Sequence, residues 1–222
     1  MAVFIEPPFW ATRTRTEPSW RVSSVIVTPP AEEPLTLDEA KLRAGLDWTA
    51  GDPRDDLMNG FIAAARSKVE QDTGLALLTQ TRDVFFDTLS MRRDGTVTLP
   101  AQSRPLQSVG SVKVVDTAGT VVTVEPANYI VDLATARLGL APTGVWPSDA
   151  RPFQPWVVRI VSGWLNKATL RANAPLLFHA VGLLIAHYAT VGRDLTTVGT
   201  IITTTPEGYD DAIAPYIVVS MP

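Results

Sequence analysis

A block of strand-like sequence, residues 79–163, lies between two helical segments and constrains the fold of this chain more than any other feature. Within the block, apolar residues such as Val84 and Phe86 alternate with neighbours such as Asp83, the period of two that half-buried strands show. The segment Asp116-Thr117-Ala118-Gly119 is a turn signal between two such runs, which indicates a β-hairpin. About seven short strands are predicted in the block, among them 96–99, 108–115, 120–124, 129–132, 137–140 and the central strand 156–161.

Helix start signals stand on either side of this block. Thr36 and Glu39 form a capping box, in which each side chain can bond the backbone amide of the other residue. Asp52 followed by Pro53 is a second start signal. Three helices are predicted, over about 36–46, 53–73 and 175–191. The fold class is therefore α+β, a small helical core with an inserted antiparallel β-domain. The residues expected to form the shared helical core are Leu57, Phe61, Ile62, Val69, Leu177, Leu184 and His187.

The two ends of the chain carry apolar residues outside these elements. Prolines break any long helix in the first 34 residues, although 21–28 is β-prone. This arm either folds back over its own domain or reaches a neighbouring subunit, because exposed apolar patches mark contacts. The predicted organisation is an arm at 1–34, a helical core at 35–78 plus 164–205, a β-domain at 79–163 and an assembly segment at 206–222. The interface residues predicted are Phe4, Phe9, Trp10 and Trp20 on the arm, and Tyr209, Ile213, Tyr216, Ile217 and Val218 on the assembly segment.

Composition narrows the classes of function. The 222 residues are 45% hydrophobic, which is enough for a real core, and they include no cysteine. Disulfides, thiolate metal sites and cysteine nucleophiles are therefore excluded. The formal net charge of −4 argues against broad binding to nucleic-acid phosphates. No signal peptide is apparent, and no run approaches the roughly 18 apolar residues that span a bilayer, so no membrane partner is expected.

Residues able to carry chemistry are few. His179 and His187 are eight positions apart on one predicted helix, about 12 Å, which is too far for joint metal ligation. Asp47, Asp52, Asp55 and Asp56 do not have the spacing of an EF-hand, and helix capping accounts for the last three. No nucleotide-binding, nucleophile-elbow or zinc-protease motif occurs. We predict no catalytic, cofactor-binding or metal-binding residues, and a protein that is not an enzyme.

The ordered series of segments resembles the head–tail connector (adaptor) proteins of tailed bacteriophages and gene transfer agents, in the branch with a β insertion between the connector helices. No single segment is specific; the order of the whole set carries the resemblance, over about 35–216. The N-terminal arm is longer than is usual in that family. The matching segments are LTLDEAK (35–41), 55–57, 63–66, 69–70, 73–74, 78–81, RPLQSV (104–109), YIVD (129–132), 158–163, 175–187 and YDDAIAPY (209–216).

The resemblance implies a structural subunit of the virion neck, at the head–tail junction, made in the cytoplasm of the host bacterium. Such subunits form a ring with copies of themselves, commonly a dodecamer, under the portal protein. The ring extends the DNA channel and presents a surface to the next neck or tail-completion protein. Genomic DNA passes through without sequence-specific contact, and an acidic protein suits such a channel because like charge removes phosphate contacts.

Two other classes of function stay open at this level. In the first of these classes, the β-domain belongs to a module that binds glycan or a host surface, and Trp146, Trp156 and Trp164 form an exposed platform. Solvent exposure of these three rings discriminates this class from the adaptor. The other class is an enzyme of unknown type, which requires a cleft where His179 or His187 meets a carboxylate and a hydroxyl.

Overall fold

Strands and helices occupy separate stretches of the chain in the computed structural model, which describes residues 22–89, 95–191 and 206–217. The strands are β1 (Val22–Thr28), β2 (Gln80–Phe86), β3 (Thr96–Thr98), β4 (Leu106–Val115), β5 (Val121–Val124), β6 (Tyr129–Asp132), β7 (Arg137–Leu140) and β8 (Trp156–Ser162). The helices are α1 (Leu37–Arg43), α2 (Arg54–Thr73), α3 (Lys167–Asn173), α4 (Pro175–Val191) and α5 (Tyr209–Ile213). This arrangement confirms the predicted α+β fold class.

The strands form two antiparallel sheets. One has five strands in the order β1-β2-β8-β4-β5, and the other has three in the order β3-β7-β6. The predicted β4–β5 hairpin is confirmed, the predicted strands β6 and β7 pair with each other, and β8 is the central strand of the larger sheet, as predicted. Alternate residues of β8 are buried, and Val158 and Ile160 share one apolar core with Val112 and Leu138. The two sheets therefore pack their apolar faces together.

The strand predicted at 21–28 is β1, and it pairs with β2 at the edge of the larger sheet. Ser24 of β1 lies opposite Val84 of β2, a separation of 60 positions along the chain. Pro34, which follows β1, is buried. The described part of the N-terminal arm thus folds back on the chain's own sheet, the first of the two alternatives. Residues 1–21 lie outside the described residues.

The helices enclose a second apolar core. Predicted core residues Ile62, Val69, Leu177 and Leu184 are buried in it, at 0–2% exposure, whereas Phe61 and His187 are half-buried. The prediction for Leu57 was wrong, because its side chain is 60% exposed. The buried stripe of α2 is instead Met58, Ile62, Ala65 and Val69, and Leu57 stands one position, about 100°, away from it.

The caps of these helices follow local sequence. Thr36 and Glu39 form the predicted capping box at α1, which ends at Arg43, earlier than predicted. The Asp52 carboxylate accepts the Arg54 amide at 2.9 Å, and α2 begins at Arg54, one residue later than predicted. Helix α3 was not predicted, although Asn166 and Thr169 form a capping box before it. No single helix of the described residues passes the length-and-hydropathy test for a membrane span; α3 and α4 pass it only as a pair bent by 113°.

Candidate interaction surfaces

The two histidines lie on α4, where His179 is exposed and His187 is half-buried. Nδ1 of His179 is 3.3 Å from an Nη atom of Arg43, and the ring of His187 packs 6.2 Å from that of Tyr188. In the described ranges no three His, Asp or Glu side chains are grouped so that they could hold a metal ion. The titratable groups of this region are therefore best described by the structural contacts that they make.

The acidic segment before α2 forms a structural clamp. Asp55 accepts a hydrogen bond from Nε1 of Trp48 at 2.7 Å and pairs with Nζ of Lys41 at 2.7 Å. These bonds, with that of Lys41 as the largest cause, lower the pKa of the Asp55 carboxyl. Asp52 is held by Arg54 at 2.7 Å, which lowers its pKa as well. Asp55 therefore ties α1, which contains Lys41, to the start of α2, whereas the pair between Asp52 and Arg54 is local.

A buried carboxylate joins the helical core to the larger sheet. Glu70 of α2 accepts hydrogen bonds from the Leu77 amide at 2.9 Å and from the Gln80 side chain at 3.1 Å. It also pairs with Arg66 at 3.2 Å, and Arg66 bonds Glu33 at 2.8 Å. Burial raises the pKa of the Glu70 carboxyl, opposed by the Leu77 hydrogen bond and by Arg66. Glu70 therefore fixes where β2 leaves the helices.

The chain enters and leaves the β-domain at one crossing. Leu78, before β2, forms a bridge with Trp164, after β8. Nε2 of Gln107 donates to the Thr79 hydroxyl and to the Gly163 carbonyl, both at 2.7 Å. A Cβ atom on Gly163 would lie 2.1 Å from the Leu78 carbonyl oxygen, so the two backbones are in direct contact. The β-domain is thus attached to the helical core through β2 and β8, two neighbouring interior strands of the larger sheet.

The predicted interface residues of the C-terminal segment divide into two groups. Tyr209 and Ile213 are 0% and 4% exposed, and the Tyr209 hydroxyl donates to Asp72 of α2 at 2.7 Å. Burial and that bond raise the pKa of Tyr209. These two side chains belong to the chain's own helical core, because α5 packs on α2 and α4. Tyr216 and Ile217 are half-buried at its margin. The remaining predicted residues lie outside the described ranges: Phe4, Phe9, Trp10, Trp20 and Val218.

The three tryptophans of the glycan-binding alternative do not share an exposed face. Trp156 is 7% exposed in the β core. Trp146 packs edge-on against Trp156, with ring centroids 5.8 Å apart, and stacks on Tyr129. Trp164 packs on the separate helical core. The exposed platform that this alternative requires is therefore not formed.

Exposed apolar side chains instead mark the two edges of the five-stranded sheet, which sequence analysis missed as surfaces. On β1, Val25 is 57% exposed, and on β5, Val121 is 58% exposed. Phe153 is 79% exposed, and its neighbour Gln154 bonds Ser23 of β1 at 3.2 Å. The signal available in the sequence was two β-branched runs without charge, VSSVIVT and VVTV. Exposed apolar residues on the helical side are Leu42, Leu57, Leu165 and Leu176.

Comparison with solved structures relates this fold to particle necks. A chain in the neck of an empty gene transfer agent (GTA) particle, computed with C6 symmetry, is 23% identical with a TM-score of 0.63, covering 91% of this chain and 97% of that one. A chain in the virion of a native GTA particle is 21% identical with a TM-score of 0.66, covering 90% and 97%. One in the neck of a native GTA particle, computed with C12 symmetry, is 23% identical with a TM-score of 0.59, covering 91% and 97%.

These likenesses show a shared fold over nearly the whole of each chain. No family model matches this sequence, and no curated protein matches it.

Proposed function

We propose that this chain is a structural adaptor subunit of a phage or GTA particle, which forms a ring under the portal and links the capsid to the tail. The observation that carries the proposal is the fold shared with chains of GTA necks, which covers 97% of each of those chains. Since about nine-tenths of this chain is covered as well, most of the architecture supports the proposal, and so does the ordered resemblance of segments in the sequence.

A ring subunit needs two different surfaces, because each copy contacts one neighbour on either side. Exposed apolar residues at opposite edges of one sheet satisfy this requirement. We assign a dodecameric ring to the chain. The terminal segments, with Phe4, Phe9, Trp10 and Trp20 at one end and Tyr216, Ile217 and Val218 at the other, are assigned to contacts with the portal or a neighbouring copy.

The net charge of −4 fits a ring through which genomic DNA moves. An acidic wall repels phosphates, so DNA slides without lasting contacts. The surface of the ring that faces away from the portal receives the next neck or tail-completion protein.

Deleting the gene in the strain that encodes it tests the function. The expected result is capsids that contain DNA but carry no tail, with tails restored by the wild-type gene. Electron microscopy of the wild-type particles, at a resolution that traces the chain, is expected to find it as a ring at the head–tail junction. Normal tailed particles from the deletion strain, or purified particles without this chain, contradict the proposal.

Native mass measurement provides a second test on purified protein. The chain alone is compared with the chain mixed with the portal protein of the same particle. We expect a complex of the portal with a ring of this chain. When the major capsid protein replaces the portal protein, we expect only the masses of the separate proteins. Absence of binding to the portal contradicts the assigned place in the neck.

A further inference from the structure

The two edge strands of the five-stranded sheet lack the charges and prolines that protect many natural sheet edges, although β5 is short and β1 has a register irregularity between Ile26 and Thr28. Natural edge strands carry lysine, other charges or proline, which prevent pairing with another chain. Neither β1 nor β5 contains a charged residue or a proline. The charges lie instead on the three interior strands, as in the pair between Asp83 of β2 and Arg159 of β8 at 2.7 Å. Among the described strands β1 has one neighbour, β2, and β5 has one, β4.

The two edge strands run in the same direction. Each neighbouring pair from β1 through β2, β8 and β4 to β5 is antiparallel, and four reversals restore the starting direction. When copies are related by rotation about an axis along the strands, β5 of one copy therefore meets β1 of the next as a parallel pair. A two-fold dimer through β1 would pair β1 with itself and leave the β5 edge open.

The register across the sheet brings apolar side chains of the two edges to the same height. Val22 lies opposite Phe86, Phe86 opposite Trp156, Trp156 opposite Val114, and Val114 opposite Val122. Opposite residues share a face, so Val22 and Val122 both belong to the face that carries the apolar core. They are 40% and 41% exposed, and contact between β5 of one copy and β1 of the next would cover both.

We propose that β1 of one copy pairs with β5 of the next, so that the five-stranded sheets continue from subunit to subunit around the ring. The inference rests on the proposed function, since a closed ring is what requires two complementary edges. β5 contributes four residues, which bury far less than the roughly 800 Å² per partner of a stable complex. The joint is therefore weak for a single pair of free subunits, although a disulfide accumulates such pairs at high protein concentration, and it becomes effective when the ring is held on its docking platform.

Cysteine cross-linking tests the joint directly, because the natural chain has no cysteine. Ser23 lies at the height of Thr123, through Phe85, Val157 and Lys113, on the outer face of the sheet. Thr123→Cys protein is mixed with Ser23→Cys protein, or with Val25→Cys protein for a shift of two residues, at high concentration under a mild oxidant. Disulfide-linked dimers are expected in at least one mixture and not from any single variant. The collision control replaces the β1 variant by Val145→Cys, in an exposed loop.

The outcomes separate head-to-tail pairing from other contacts. Dimers from Ser23→Cys or Val25→Cys alone indicate two-fold pairing of β1 and overturn the proposal. Mixtures that give no more dimer than the collision control also overturn it.

The same pair of cysteines in one chain separates this inference from the proposed function. Particles are made with the Ser23→Cys, Thr123→Cys chain and with the Val25→Cys, Thr123→Cys chain, and a ladder of linked subunits is expected after oxidation of one of them. Particles that contain the chain but give no ladder overturn the edge pairing and leave the neck function standing. If head-to-tail dimers form in solution but purified particles do not contain the chain, the edge pairing stands and the neck function is overturned.

Discussion

Gly163 is the position where one added methyl group should most weaken the attachment of the β-domain to the helical core. Its φ is +108°, and a Cβ would lie 2.1 Å from the Leu78 carbonyl oxygen and 2.3 Å from its carbon. Left-handed backbone costs a non-glycine residue about 1–2 kcal/mol, and overpacking adds about 1–3 kcal/mol. We therefore expect Gly163→Ala to lower the free energy of unfolding by about 2–5 kcal/mol, the sum of these two costs.

Gly119→Ala is the matched control for this prediction. Gly119 has a φ of +86° but no atom within 4 Å of an added Cβ, so it carries only the backbone cost. Urea denaturation of wild type and both variants, followed by far-UV circular dichroism, gives the two losses. The difference between them measures the contact with Leu78. Equal losses for the two variants, or a loss below about 1 kcal/mol at Gly163, refute the reasoning that the two backbones are locked together here.

Three further predictions concern buried groups and the N-terminal strand. Burial raises the pKa of Glu70 above its ordinary 4.5, so the folded state binds the proton of this carboxyl more tightly than the unfolded state does. The stability of the wild type relative to Glu70→Gln should therefore fall as pH rises from 4.5 through the raised pKa. Urea midpoints of both proteins across pH 4–7 measure this difference in stability, and a difference that rises with pH contradicts the prediction. Tyr209→Phe removes the 2.7 Å bond to Asp72 and should cost about 1–2 kcal/mol in the same assay; no loss means that the bond contributes nothing. Deleting 1–34 should lower the melting temperature more than deleting 1–21, since only the longer deletion removes β1; equal melting temperatures contradict this.

The crossing at Gly163 and Glu70 bears on how such a subunit would work in a ring. The β-domain is held to the helices by the backbone contact between Gly163 and Leu78 and by the buried Glu70 carboxylate, which bonds Leu77 and Gln80. Force applied to the sheet edges would therefore be transmitted to the helical core without a flexible linker. Loss of either connection is expected to affect assembly through subunit shape, even where the edge residues are intact.

Local patterns were sufficient to predict most of the elements. The capping box of Thr36 and Glu39, the Asp52 start signal and the Asp116–Gly119 turn each act within four residues, so the sequence alone determined where α1, α2 and the β4–β5 hairpin lie. The alternation along β8 also predicted a strand with one buried face. Helix α3 has a signal of the same kind, the capping box of Asn166 and Thr169, although this helix was not predicted.

Contacts between distant residues were decided by the tertiary structure alone. Tyr209 meets Asp72 across 137 positions, which places this predicted interface residue in the helical core. Leu57 and Met58 are adjacent and both apolar, and only the packing of the other helices against α2 determines that Met58 is the buried one. The order of the strands likewise places β1 and β5 at the edges of the larger sheet, and this position leaves the apolar side chains of two ordinary β-branched runs exposed. Short-range steric and hydrogen-bonding preferences specify elements, whereas burial depends on which elements meet, and that is a property of the whole chain.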